Sequence, residues 1–154
     1  MARFPTNVTR SVTVEAPLEK VYAYLADVVG SSTCIPGIDC CEANGADTYR
    51  FVFEERSTGP VSMVVQYTAR YDLNGVDVIG FRSIDAPDDN TDADGEIRLE
   101  CLAEKTTRIT LRQEVAPETP VPRLVQGLIR SFVEGEAASS VEGYLDNVKR
   151  ALEA

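Results

Sequence analysis

The sequence predicts an α+β fold: a curved antiparallel sheet of about seven strands around one long C-terminal helix, with short helices after the first strand. Three observations lead there. From Pro120 to Leu152 apolar residues recur at Val121, Leu124, Val125, Leu128, Ile129, Phe132, Val133, Ala137, Val141, Tyr144, Leu145, Val148 and Leu152. That is the spacing of one helix face, held for about nine turns and roughly 50 Å. Between residues 38 and 115 the pattern instead alternates apolar and polar positions in short runs closed by turn residues. Strands and the dominant helix are also segregated along the chain, and a sheet that curls around such a helix tends to leave an internal cavity.

Taken in order, Val8, Val12 and Val14 alternate with Thr9, Ser11 and Thr13 as a half-buried strand. Pro17 suits a first helical turn, where its missing N–H is no loss, and Leu18, Val21, Tyr22 and Leu25 give a helical face through about Asp27. Gly30-Ser31-Ser32 breaks it, and Thr33 to Gly37 reads as a short turn or loop. Strands are expected at 38–43, then through Tyr49, Phe51 and Phe53, and after a Ser57–Pro60 loop as one long run over 61–73. Asn74-Gly75 is a strong hairpin signal, with 76–84 returning. After an acidic loop come Ile97, Leu99, Cys101 and Ala103, a Glu104-Lys105 turn, and Ile109 to Val115; Ala116 to Pro122 leads into the helix.

At 154 residues the chain reads as a single domain over 1–154, large enough to bury roughly 70% of its unfolded surface. Its 15 basic and 25 acidic residues give a net charge of −10, which excludes nucleic-acid binding and opposes stable association with anionic membranes. No apolar run is long enough for a membrane span, and Met1 to Thr6 carries no secretory core, so a cytoplasmic location is expected. Cys34, Cys40, Cys41 and Cys101 form no C-x-x-C pair and there is no histidine, so no metal and no cofactor are expected; the cysteines read as reduced thiols. Asn90 to Ile97 matches the first eight positions of a helix-loop-helix calcium loop, but the twelfth is Cys101 where a bidentate carboxylate belongs. A solvated hairpin loop with an Asp94-Gly95 turn is the better reading.

The run Val12-Thr13-Val14-Glu15-Ala16-Pro17-Leu18-Glu19-Lys20-Val21-Tyr22-Ala23-Tyr24-Leu25-Ala26-Asp27 resembles the strand-to-helix start of the START-like, or SRPBCC, superfamily with its helix-grip fold. The order of elements matches over essentially the whole chain. Cys34-Ile35-Pro36-Gly37 with Gly59-Pro60-Val61 resembles the branch related to the G component of carbon monoxide dehydrogenase. The resemblance implies a cavity between sheet and long helix for an apolar molecule such as a lipid, polyketide, sterol or quinone. It also implies a carrier, a polyketide cyclase or aromatase, or an accessory protein of a redox enzyme complex. Proteins of that dehydrogenase-related branch often run past the helix into a membrane-reaching tail; this sequence ends at Ala154, so membrane delivery is not expected.

If the helix lies on the concave face, inward strand positions line the cavity: Tyr49, Phe51, Met63, Val65, Tyr67, Phe81, Cys101, Leu111 and Gln113. The helix adds Leu128, Phe132 and Val133, and the mouth loop Ile35 and Pro36. Gly135, Ala137, Ala138, Ser139, Ser140 and Gly143 put small side chains in mid-helix, where a solid core would want leucine; they signal close packing or empty volume. Gln113 shares its face with Ile109, Leu111 and Val115, and a buried amide without partners costs about 1–3 kcal/mol, so it is placed to bond backbone, water or ligand. Arg10, in register with Val8 and Val12, either reaches inward or forms a salt bridge at the sheet end. Without histidine no Ser–His or Cys–His nucleophile pair exists, and no catalytic residue is assigned. Tyr49 or Tyr67 would serve a cyclase that needs little beyond a shaped pocket. The expectation is binding of an apolar or aromatic small molecule, with a protein partner left open.

Overall fold

Period-two alternation builds the sheet and a single change of period ends it. The protein, described here by a computed structural model over residues 2–154, runs β1 (Ala2–Arg3), β2 (Thr6–Val14), α1 (Leu18–Ala26) and α2 (Val28–Ser31). A 3-10 turn over Ser32–Cys34 precedes β3 (Ile38–Ala43), β4 (Thr48–Phe53), β5 (Arg56–Thr58) and β6 (Val61–Met63). Then come β7 (Gln66–Asp72), β8 (Val78–Ile84), β9 (Thr91–Ala103), β10 (Thr106–Thr119), a 3-10 turn and α3 (Gln126–Glu153). Met1, on which part of the expectation about a secretory core falls, lies outside the described residues. The main sheet has eight antiparallel strands in the order β1-β10-β9-β8-β7-β4-β3, with β2 pairing β10 beside β1. It is the expected curved sheet around a long C-terminal helix, one strand larger because β10 runs on to Thr119 and collects β1 there.

The expected single strand over 61–73 is two strands in different sheets. Val61–Met63 pairs with Arg56–Thr58 as a separate hairpin, while Gln66–Asp72 lies between β4 and β8. The break is held by one side chain: the Asn90 amide donates to the Val64 carbonyl (2.5 Å) and its oxygen accepts from the Gln66 N–H (3.0 Å). Those two groups thereby lose their need for a ladder partner. The loop expected at 57–60 is the tip of this hairpin, with Gly59 at φ +56°.

The acidic stretch expected as a loop is the first half of β9. Thr91, Ala93 and Ile97 face inward, while Asp92, Asp94 and Glu96 alternate outward. Alternation was hard to see because its inward members are small and one is Gly95. A Cβ there would press on the Arg112 carbonyl oxygen and come within 2.8 Å of the Phe81 ring, so only glycine lets both approach this closely. The Asn74-Gly75 hairpin forms, but with a longer loop: β8 starts at Val78, and Gly75 is not in the left-handed region.

The core falls into three clusters. Val14, Val21, Leu25, Ile109, Val141, Leu145, Val148 and Leu152 belong to the largest, where the C-terminal half of α3 lies on the sheet. Phe51, Tyr67, Ala69 and Ala93 form a second on the sheet face, and Phe4, Val61, Ile129 and Val133 a third, where the hairpin meets the start of α3. Arg10 stays exposed and reaches Glu142 at 4.0 Å, the salt-bridge alternative.

Candidate functional site

Between the first and third clusters α3 parts from the sheet. Its inward stripe runs Ile129, Val133, Ala137, Val141, Leu145, and the one small member, Ala137, is half-buried and borders a cavity of about 200 Å³. Phe53, Val65, Tyr67, Gln113 and Val115 line the sheet side, and Phe132, Val133, Ala137 and Ser140 the helix side. A second chamber of about 60 Å³ continues inward, lined by Leu25, Val28, Ile35, Phe51, Tyr71, Phe81, Leu111, Val141 and Tyr144. Phe53, Tyr67, Gln113 and Ser140 line both chambers and make the constriction between them.

The sheet side is paved with rings. Phe51 stacks on Tyr67 with centroids 4.9 Å apart, Tyr71 on Phe81 at 5.5 Å, and Phe53 follows Tyr67 at 6.0 Å. Strand register explains this row: Phe51 faces Tyr67 across β4 and β7, and Tyr71 faces Phe81 across β7 and β8. Burial, the leading cause each time, pushes the hydroxyls of Tyr67, Tyr71 and Tyr144 well above the usual tyrosine range, so they stay protonated donors. Tyr24 is pushed up to about 12, first by burial and then by its 3.1 Å bond with the Cys34 thiol.

The mouth is held from both sides. Asn147 of α3 donates to the Cys34 carbonyl (2.9 Å), and Pro36 packs so tightly on Gly143 that a Cβ there would fall 2.7 Å from its ring. Opposite, Arg56 of the β5–β6 hairpin pairs with Glu136 of α3 at 3.1 Å. Both side chains are about half exposed, so this pair is worth at most about 1 kcal/mol. Among the described residues no cluster of His, Cys, Asp and Glu is arranged to hold a metal ion.

Of the residues expected at the site, Pro36, Met63, Val65, Tyr67, Gln113, Phe132 and Val133 border the outer chamber. Ile35, Phe51, Phe81 and Leu111, with Tyr67 and Gln113 again, border the inner one. Three lie elsewhere. Leu128 is 59% exposed, because it flanks the buried stripe, which starts one residue later at Ile129. Cys101 has inward parity but is exposed near the end of β9, next to the register shift at Thr106/Thr107. Tyr49, on the same face of β4 as Phe51, packs edge-on against Tyr71 at 5.5 Å and lines neither chamber.

Unexpected lining residues include Phe53, Tyr71 and Tyr144, whose signal was present in the same alternation and stripe. Arg56, Glu54 and Glu136 at the mouth have none, since the hairpin that carries Arg56 to α3 looks in the sequence like a loop followed by a strand. The small-residue stretch divides: Ala137, Ser139 and Ser140 border the cavity, while Gly143 serves close packing.

Solved structures share this architecture. A START superfamily protein from Mycobacterium smegmatis superimposes with a TM-score of 0.71 at 16% identity, covering 96% of this chain and 97% of that one. The Zhui aromatase/cyclase from Streptomyces sp. R1128 gives 0.62 at 19%, covering 97% of each chain. The di-domain aromatase/cyclase StfQ from the steffimycin pathway gives 0.65 at 18%, with 97% of this chain matched to 51% of that one. At these identities the likeness is one of fold. No curated protein matches. Among the described residues no helix is long and apolar enough to cross a membrane. The family described as polyketide cyclase/dehydrase and lipid transport matches residues 5–153, nearly the whole chain, which supports hydrophobic ligand binding or polyketide cyclisation as the broad function. With a sheet that grips a long helix and a ring-lined cavity between them, this chain belongs to that family and has the START-like fold.

Proposed function

We propose that this protein binds an apolar or aromatic small molecule in the cavity and releases it chemically unchanged, as a carrier or sequestering protein. The observation that carries this reading is the cavity itself, about 200 Å³ bordered mainly by Phe53, Val65, Tyr67, Val115, Phe132 and Val133. Such a space bounded by rings and branched aliphatics favours an apolar occupant over water.

A cyclase is the second reading, favoured by the tyrosine hydroxyls around the inner chamber and by the aromatase/cyclases that share the fold. Against it, cyclisation needs a base, and tyrosines held neutral by burial donate protons poorly and accept none at neutral pH. The carboxylates nearest the cavity, Glu54 and Glu136, stand at its mouth.

Native mass spectrometry of the protein purified from its own host tests both. Recovery of a bound compound whose mass is unchanged after prolonged incubation fits the carrier. Conversion of a bound poly-ketone to a product lighter by water would favour the cyclase.

A further inference from the structure

We infer that the cavity selects a neutral aromatic molecule of one to two rings carrying a hydrogen-bond acceptor, and discriminates against anionic amphiphiles such as fatty acids. The inference rests on the binding function proposed above and adds the chemistry of the occupant.

Size comes first. A dry cavity of about 150 Å³ holds benzene; the outer chamber, at about 200 Å³, has room for little more than two fused rings. The inner chamber, about 60 Å³, takes a substituent rather than a ring. Shape comes second. In the row Phe53, Tyr67 and Phe51 the rings stack on one another, so the row presents ring edges, against which another ring packs edge to face.

Polarity comes third. Gln113 sits at the constriction, opposite Gly95 across the ladder, and among the described residues its amide has no hydrogen-bond partner. Tyr67, buried beside it, also has an unpartnered hydroxyl among the described residues, and burial keeps that hydroxyl protonated. Two donors bordering one space, neither engaged by another described residue, match a ketone, ester or quinone oxygen on the occupant.

Charge comes last. Arg56 is the one cation among the described lining residues; it stands at the mouth, tied to Glu136 and beside Glu54, in a protein of net charge −10. A carboxylate drawn inward would leave its counter-charge behind and be buried unpaired.

The test uses the full chain and prodan, a neutral two-ring ketone whose emission shifts blue on leaving water. Three near-isosteric competitors displace it: acetylnaphthalene (neutral acceptor), ethylnaphthalene (no acceptor) and naphthoate (anion). The expected order is acetylnaphthalene, then ethylnaphthalene, then naphthoate, with naphthoate at least about tenfold weaker than acetylnaphthalene. Gln113→Leu should bring acetylnaphthalene down to the level of ethylnaphthalene and leave the latter unchanged; Tyr67→Phe should do so in part. If Gln113→Leu does not fold, the wild-type order and Tyr67→Phe still decide. Equal displacement by naphthoate and acetylnaphthalene, or by ethylnaphthalene and acetylnaphthalene, overturns the selection while the carrier reading stands. Failure of the folded wild type to bind prodan at all overturns both.

Discussion

The two halves of α3 follow one stripe and do opposite things with it. Toward the C-terminus Val141, Leu145, Val148 and Leu152 are each at most 4% exposed and press on β2 and β10 in a continuous core. Toward the N-terminus Ile129 and Val133 are buried too, but against the β5–β6 hairpin, and Ala137 between the halves meets empty volume. Periodicity is unbroken across both; only side-chain size changes. Amphipathic spacing therefore decides that a helix docks, and residue volume along the stripe decides whether docking leaves a space.

The largest contrast should come from alkali. Tyr67, Tyr71 and Tyr144 around the inner chamber hold their protons when folded and release them near pH 10 when unfolded. A raised folded value gives stability that is complete below pH 10 and lost as pH rises above it, at about 1.4 kcal/mol per pH unit per group. These are three of six tyrosines, so about half of the phenolate absorbance should be held back until unfolding and then appear with the loss of circular dichroism. Smooth titration of all six near pH 10 in the folded protein would mean that the inner chamber is open to water.

Leu145→Ala, in the solid half, should cost about 2–5 kcal/mol in urea unfolding, whereas Phe132→Ala beside the cavity should cost less than about 2 kcal/mol. Equal losses would erase the difference between the halves. Gly143→Ala should cost about 1–3 kcal/mol, because Pro36 stands where the new methyl would go. An unchanged melting temperature would show that the mouth loop yields freely.

Much of this was legible in the sequence. Val8 to Val14, the 38–54 strands and the long helix stand where alternation and 3.6-residue spacing put them, because each buries one face and repeats often enough to be read. What was hidden depends on contacts distant in sequence. Asn90 splits the 61–73 run from 26 residues away, and no local pattern at Val64 announces it. Leu124, on the helix pattern yet 99% exposed, shows that a period extended through a proline-flanked 3-10 turn loses its phase. Pro36 and Gly37, within the segments that resemble the carbon monoxide dehydrogenase branch, lie at the mouth, but the family and fold matches neither carry nor displace that narrower branch.

The smallest change in stability makes the most direct test. Ala137→Leu places a leucine on the inward stripe at its one small, half-buried position, which borders the cavity. Urea unfolding and prodan titration on the same protein read it together. The two halves as described require a stability change under about 1 kcal/mol, because the side chain enters space, with prodan binding lost. Destabilisation of about 1–3 kcal/mol with prodan binding intact would contradict this, making Ala137 a close-packed contact and placing the ligand elsewhere.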